Sequence, residues 1–281
     1  MAAKKTGGEA VLTIPAMMEG TVALRIIGIT PMFQRRMSAK VKQGLLVGTR
    51  KKTAAERIEI KHHPYEEFRD SVERLESGPT LLGVSSLAIK AAMSEAAIDT
   101  AGITKTSTQR LIFVPGDLLS LYGTPLLRTD VVRSADINRT PDIRTRAFLP
   151  QWGAEVTLSY IMPQFSMQAI ATLLSNAGII IGIGDFRQGK GKGNFGRFRV
   201  IGAEQQDDEW DELVALHGRD AQNEALENPV FANAETEELV RYYDEEIGRR
   251  RDTVVAMPKA RQSKSSVMTT RKKSRAARKA A

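Results

Sequence analysis

The residues best equipped for chemistry lie together in Gly178–Val200, GIIIGIGDFRQGKGKGNFGRFRV. Glycine recurs there at Gly178, Gly182, Gly184, Gly189, Gly191, Gly193 and Gly196. Glycine permits positive φ and lets backbone amides approach a ligand closely. Successive N–H groups in such a loop can form a nest for an anion. Arg187, Lys190, Lys192, Arg197 and Arg199 add positive charge, and Phe186, Phe195 and Phe198 are placed to stack on bases. The chemistry that fits is capture of a phosphate backbone. The plain alternative is a linker between two strands, kept soluble by its lysines.

Two enzyme motifs lie close to this segment. Gly191–Gly196 spells G-x-G-x-x-G, but a dinucleotide fold needs a strand before it and a helix after it. Arg197-Phe198-Arg199-Val200-Ile201 follows and reads as a strand, so that motif is rejected. Gly184 with Gly189-Lys190 approximates a phosphate-binding loop, yet Gly191 stands where Ser or Thr would hold magnesium. Nucleotide hydrolysis is not expected.

Further cations gather elsewhere. Arg128, Arg133, Arg139, Arg144 and Arg146 flank apolar strand candidates, and arginine matches phosphate geometry better than lysine. The competing reading pairs them with Asp130, Asp136 and Asp142. A third group, Arg35, Arg36, Lys40, Lys42, Arg50, Lys51 and Lys52, sits on or after a first helix, with Arg36 and Lys40 on one face. His62 and His63 precede Pro64 at a helix entrance, where an exposed loop is expected rather than a catalytic base. The Asp207–Glu212 carboxylates read as the solvated acidic start of a helix.

Composition sets the bounds. The 281 residues include 42% hydrophobic side chains, enough for a core. With no cysteine and three histidines, thiolate sites are excluded, and neither metal nor cofactor is expected. No apolar run reaches the roughly 18 residues of a membrane span, and no signal peptide is read at the start. Residues 1–203 carry 27 Lys+Arg against 17 Asp+Glu, residues 204–246 carry 2 against 15, and residues 253–281 carry 9 against none. The expected domains are a flexible 1–19, a nucleic-acid-binding body over 20–203, an acidic helical segment over 204–248 and a disordered basic tail over 249–281. The acidic segment is expected to attract the tail, or to compete for the body, when nucleic acid is absent.

The elements that position the glycine-rich segment follow from patterning. Val22–Ile29 reads as a strand ended by Thr30-Pro31. Helices are expected over Phe33–Val47, over Tyr65–Glu76 opened by Pro64, and over Ser86–Ala101. Arg50–Lys61 is ambiguous. Arg110–Val114, Leu118–Tyr122, Leu126–Val132, Thr145–Leu149 and Glu155–Ile161 are strand candidates. Ser166 caps a helix over Met167–Asn176 that stops at Gly178, and Phe198–Ile201 returns to strand. Helical spacing reappears around Trp210, Leu213 and Leu216, and over Leu239–Ile247.

A helix at Met167–Asn176, a glycine-rich hydrophobic turn, a G-x-G-x-x-G-type loop and a strand together resemble the RAMP superfamily of CRISPR proteins. Ile26-Ile27-Gly28-Ile29-Thr30-Pro31 resembles the first strand and turn of such a unit. The resemblance implies an α+β fold, a ferredoxin-like or RRM-like core with a large middle insertion. It favours the backbone (seventh-numbered) subunit, copies of which line up along guide RNA, or a phage or mobile-element relative. The implied function is non-catalytic binding of single-stranded RNA or DNA, with homo-oligomerisation along the strand, in the cytoplasm of a prokaryote or a phage-infected host. The competing readings are a RAMP-type endoribonuclease using His62 or His63, and a viral structural protein whose tail meets packaged nucleic acid.

Overall fold

The computed structural model describes residues 16–47, 60–133, 139–188 and 193–256. The expectations for the first ten residues, for most of Arg50–Lys61 and for the end of the basic tail lie outside these residues. The chain divides into two compact units, Met1–Ala232 and Asn233–Ala281.

The first unit opens on β1 (Met18–Gly28), which therefore begins inside the stretch expected to be flexible. Pro31 turns the chain into β2 (Met32–Gln34), three residues where a helix was expected to start. Helix α1 (Ala39–Val47) takes up the rest of that stretch. Pro64 opens α2 (Pro64–Asp70) as anticipated, but the helix ends at Ser71, whose hydroxyl donates to the Phe68 carbonyl at 2.7 Å. β3 (Glu73–Arg74) and β4 (Leu82–Ser85) form a short hairpin leading into α3 (Ser86–Ala96). Thr104 and Ser107 build a capping box for α4 (Lys105–Leu111), so the first two residues of the strand expected over Arg110–Val114 are helix and Ile112–Phe113 form β5.

β6 (Leu118–Tyr122), β7 (Leu126–Arg133), β8 (Pro141–Leu149) and β9 (Gly153–Met162) follow the expected order. The Ser166 hydroxyl accepts from the Ala169 N–H and starts α5 (Met167–Asn176), which runs on into a π-helical turn over Ala177–Ile181 instead of stopping at Gly178. β10 (Phe198–Gly202), α6 (Asp208–Leu216) and α7 (Arg219–Glu227) complete the unit.

The larger sheet has strand order β10-β1-β9-β6-β4-β3, with β5 also paired to β9. β1 is antiparallel to both β9 and β10. The path β1–α3–β6–β9–α5–β10 is thus a split βαβ, the ferredoxin-like arrangement, and the fold is α+β. Alternate residues of a strand face opposite sides of the sheet. Val22, Leu24 and Ile26 are buried on one side, paired with Leu158, Val156 and Ala154. Ile27 faces the other side, where it clusters with Tyr122, Ile201, Trp210 and Leu213. The second sheet, β2-β8-β7, is built from the middle insertion.

Half of the acidic stretch is therefore structural. Helix α6 lays Trp210 and Leu213 against the sheet, and α7 is locked by a wholly buried glutamine. Gln222 Oε1 accepts from the N–H groups of Leu81 (2.7 Å) and Leu82 (2.8 Å). Its Nε2 donates to the carbonyls of Leu121 (2.8 Å), Gly123 (3.1 Å) and His217 (3.1 Å). Arg219 donates to the carbonyls of Leu75, Gly78 and Thr80.

The entrance of α6 gives a pH prediction. Asp207 caps the helix, accepting from the Trp210 N–H at 3.1 Å, and both its oxygens accept from the Arg199 guanidinium at 2.7 and 2.9 Å. Arg199 holds the Asp207 carboxyl below the usual carboxylate range. A folded-state pKa below the unfolded one contributes stability above the unfolded value and loses it as pH falls through the folded value. Asp207→Asn keeps a capping side chain and removes the charge. It should melt below wild type at neutral pH, and the gap should close in acid. Melting curves across that range that stay a constant distance apart would remove the ion pair as the cause.

In the second unit, α8 (Ala234–Ala256) opens after Asn233, whose side-chain oxygen accepts from the Thr236 N–H at 2.9 Å. Glu246 pairs with Arg249 at 3.4 Å and Arg250 at 2.8 Å along the helix.

Candidate nucleic-acid interface

The glycine-rich segment returns on itself. Ile183 N–H donates to the Gly196 carbonyl (2.9 Å), Gly196 N–H to the Pro31 carbonyl (2.8 Å), and Asp185 N–H to the Phe33 carbonyl (2.9 Å). Gly182, Gly184 and Gly196 have φ of 72°, 89° and 73°. A Cβ on Gly196 would stand 1.7 Å from the Ile183 carbonyl oxygen, and one on Gly193 would stand 1.6 Å from that of Phe186. These glycines admit the chain's own backbone, so among the described residues the close approach first read as serving a ligand is internal. Gly189, Lys190, Gly191, Lys192 and the side chain of Lys40 lie outside the described residues.

The loop docks on one face of the second sheet. Arg128 pairs in register with Arg146, Asp130 with Arg144, and Leu126 with Phe148, so these side chains share that face. Phe33 joins them from β2, paired with Phe148. The rings of Phe33, Phe148 and Phe195 pack together, with centroids 4.8 Å apart for Phe33–Phe195 and 5.1 Å for Phe33–Phe148. On the reverse face, the Thr129 and Thr145 hydroxyls meet at 3.1 Å, and the Ala147 N–H donates to Ser71 Oγ at 2.9 Å, fixing the sheet to α2.

Several of the sequence-read cations are committed to internal partners. Arg146 is 7% exposed in its side chain, with Nη2 2.8 Å from Asp130, Nη1 2.9 Å from Asp185 and its guanidinium carbon 4.3 Å from the Phe33 ring centroid. Arg128 pairs with Asp130 at 3.1 Å and lies over Phe33 and Phe148. Arg199 holds Asp207 and Glu209, and Arg36 holds Glu73 at 3.1 Å. Arg187 donates to the Gly184 carbonyl and faces Glu95 at 3.9 Å. Phe195 is half-buried and packed within the aromatic cluster, and Phe198 is wholly buried, so the Phe198 ring is not open for stacking. The pairing of arginines with aspartates weighed against binding thus holds for Arg128 and Arg146, through Asp130. Asp142 instead engages Lys61 and His62, and Asp136 lies outside the described residues.

The remaining cations form a set. Arg133 and Arg139 are exposed, the Arg197 side chain donates to the Ile179 carbonyl and meets no carboxylate within 4.0 Å among the described residues, and Arg35 is 49% exposed with Asp185 at 4.0 Å. Arg144 is half-buried with no carboxylate within 4.0 Å among the described residues. Burial, and then the positive charge of Arg35 beside it, push the Arg144 guanidinium below the ordinary arginine value. It nevertheless remains a cation at neutral pH. The sequence reading named Asp130 as a partner but missed Asp185, the second carboxylate that orients this face. The available signal was Asp185 itself, a lone acid inside an otherwise basic run.

No family model matches the sequence, and no curated protein matches it. Among solved structures the chain is similar to Cmr6 from Pyrococcus furiosus, at 8% identity and a TM-score of 0.34, over 66% of this chain and 99% of that one. A likeness at that level carries no argument, and the fold assignment rests on the strand order and register.

His62 stands apart from the loop. Its Nδ1 lies 2.9 Å from Glu67 Oε1 and its Nε2 3.1 Å from Asp142 Oδ1, while Lys61 also pairs with Asp142. Both ring nitrogens are occupied by carboxylates. Among the described residues, no group of three or more His, Cys, Asp or Glu side chains is arranged to hold a metal ion, and no helix is long and apolar enough to cross a membrane.

Proposed function

We propose that this chain is a non-catalytic nucleic-acid-binding protein, a relative of the RAMP superfamily, that holds the phosphate backbone of single-stranded RNA or DNA and assembles in copies along it. The observation that carries the reading is Arg144. A half-buried guanidinium beside a second one, Arg35, with Asp185 and Asp142 near it but no carboxylate within 4.0 Å among the described residues, is only partly compensated. A bound phosphate supplies the missing charge, and arginine can meet it with two parallel hydrogen bonds. Arg133 and Arg139 lie at the β7–β8 end of the same sheet, and in the sequence Lys190 and Lys192 stand between Arg187 and Gly193 of the segment docked on it. The split βαβ core agrees with the sequence resemblance. The two carboxylates at His62 support a structural place for that ring rather than a catalytic one.

The test is an Arg35→Ala/Arg144→Ala double variant, titrated with single-stranded oligonucleotides of several sequences over a range of salt. Phosphate contacts position a strand without reading it, so affinity should fall alike for all sequences. The log–log salt slope should shrink by about 0.7 for each phosphate that is no longer neutralised. Unchanged affinity and slope would remove this face from the interface. Cleaved product from wild type, absent with His62→Ala, would establish the endoribonuclease reading in its place.

A further inference from the structure

Phe186 and Arg139 are the non-glycine residues of the described chain with a left-handed backbone, at φ 55° and 45°. For a bulky aromatic that conformation is an outlier, because Cβ crowds the neighbouring carbonyl. Glycine, common throughout this segment, would adopt it freely. Nor does Phe186 recover the cost by burial: its side chain remains 44% exposed. Its backbone is pinned on both sides, by the Asp185 N–H bonded to the Phe33 carbonyl and by the Phe186 carbonyl lying close against Gly193. Its ring is tilted 31° from that of Phe195 at 5.9 Å, and Phe195 is in turn packed edge-on against buried Phe33. An apolar ring, held at local cost on a fixed floor and left open to solvent, serves neither the core nor solubility. Backbone outliers of this kind cluster where a ligand is met.

Charge decides the class of ligand. Phe186 stands between Asp185, the carboxylate shared by Arg35 and Arg146, and Arg187, and the sequence beyond adds Lys190 and Lys192. Aromatic rings beside backbone-tracking cations are how single strands are gripped without sequence preference, since every base has a π-face. We propose that Phe186 is a base-stacking platform, so that this interface takes nucleic acid with unpaired, accessible bases and engages a base as well as the phosphates. This rests on the nucleic-acid-binding reading above and adds a base contact to it.

The experiment compares wild type, Phe186→Gly and Phe186→Trp for binding to oligothymidylate and to polyphosphate of matched charge. Phe186→Gly removes the ring and relieves the backbone. It should bind oligothymidylate about 5- to 150-fold more weakly, the range that removal of one stacked base gives. Its affinity for polyphosphate should not change. In Phe186→Trp the introduced indole should be quenched by oligothymidylate and not by polyphosphate. Trp152 and Trp210, 1% and 2% exposed, give a constant background. The quenching arm stands even if Phe186→Gly fails to fold. Equal weakening for both ligands, no weakening for either, or an unquenched indole would overturn the stacking role while leaving phosphate binding intact. Failure of wild type to bind either ligand would instead overturn the underlying reading, and this inference with it.

Discussion

A Gly196→Val variant is expected to lose about 4 kcal/mol of stability, at the exceptional end for one substitution. Three costs combine. The backbone at Gly196 is left-handed, at φ 73°, a region that charges an L side chain roughly 1–2 kcal/mol. Its Cβ would stand 1.7 Å from the Ile183 carbonyl oxygen, so the two segments must separate. Separation breaks the bonds from Ile183 N–H to the Gly196 carbonyl and from Gly196 N–H to the Pro31 carbonyl. Each buried group left without a partner costs about 1–3 kcal/mol. Gly44→Ala, at a helix position with nothing within 4 Å of the new Cβ, is the control and should be neutral or stabilising. Thermal melting of the two variants decides the matter. Equal melting temperatures would mean that the loop is not packed as described.

Arg146→Met should cost about 3–5 kcal/mol, the usual penalty for removing one partner from a buried ion pair. The guanidinium bridges Asp130 at 2.8 Å and Asp185 at 2.9 Å, and Asp185 belongs to the glycine-rich segment. Arg128 and Arg35 remain near these carboxylates but do not join them to each other. Converting both carboxylates to amides in the same background, Arg146→Met/Asp130→Asn/Asp185→Asn, should recover much of the stability, because neither carboxylate is then left as a charge without Arg146. The non-additivity of the triple variant is the measurement. A single variant within 1 kcal/mol of wild type, read by denaturant melting, would show that Arg146 is dispensable to loop docking.

The sequence was most legible where local signals decide the outcome. Leu118–Tyr122, and Met167–Asn176 with its Ser166 cap, match the structure residue for residue. Rejecting the dinucleotide motif on the strand after Gly196 also agrees with β10. Local signals failed where distant partners decide. Helix α7 carries few apolar residues, because its anchor is Gln222, a polar residue buried through hydrogen bonds to chain far away in sequence. The helix expected to Glu76 stops at Ser71, whose hydroxyl bonds back to Phe68 and also receives the Ala147 N–H. At the candidate site, residue types located the cations, but not which of them carboxylates already occupy. Arg199 and Arg146 read like Arg144 in sequence and differ in the close ion pairs they make, Arg199 with Asp207 and Arg146 with Asp130 and Asp185. Nor could composition reveal that a phenylalanine among so many glycines takes a left-handed backbone.

The central place of β1 has a consequence for biosynthesis. The strand lies between β9 and β10, so Ile27 finds its hydrogen-bonding neighbours at Gly153 and Arg199. β1 is therefore translated well before the two strands that satisfy it. Val22, Leu24, Ile26 and Ile27 must wait, unpaired and apolar, while the chain from β2 to β8 is translated. Such non-local pairing slows folding and lengthens the exposure of a sticky edge. Chaperone demand and expression temperature should govern the yield of this protein more strongly than its final stability does.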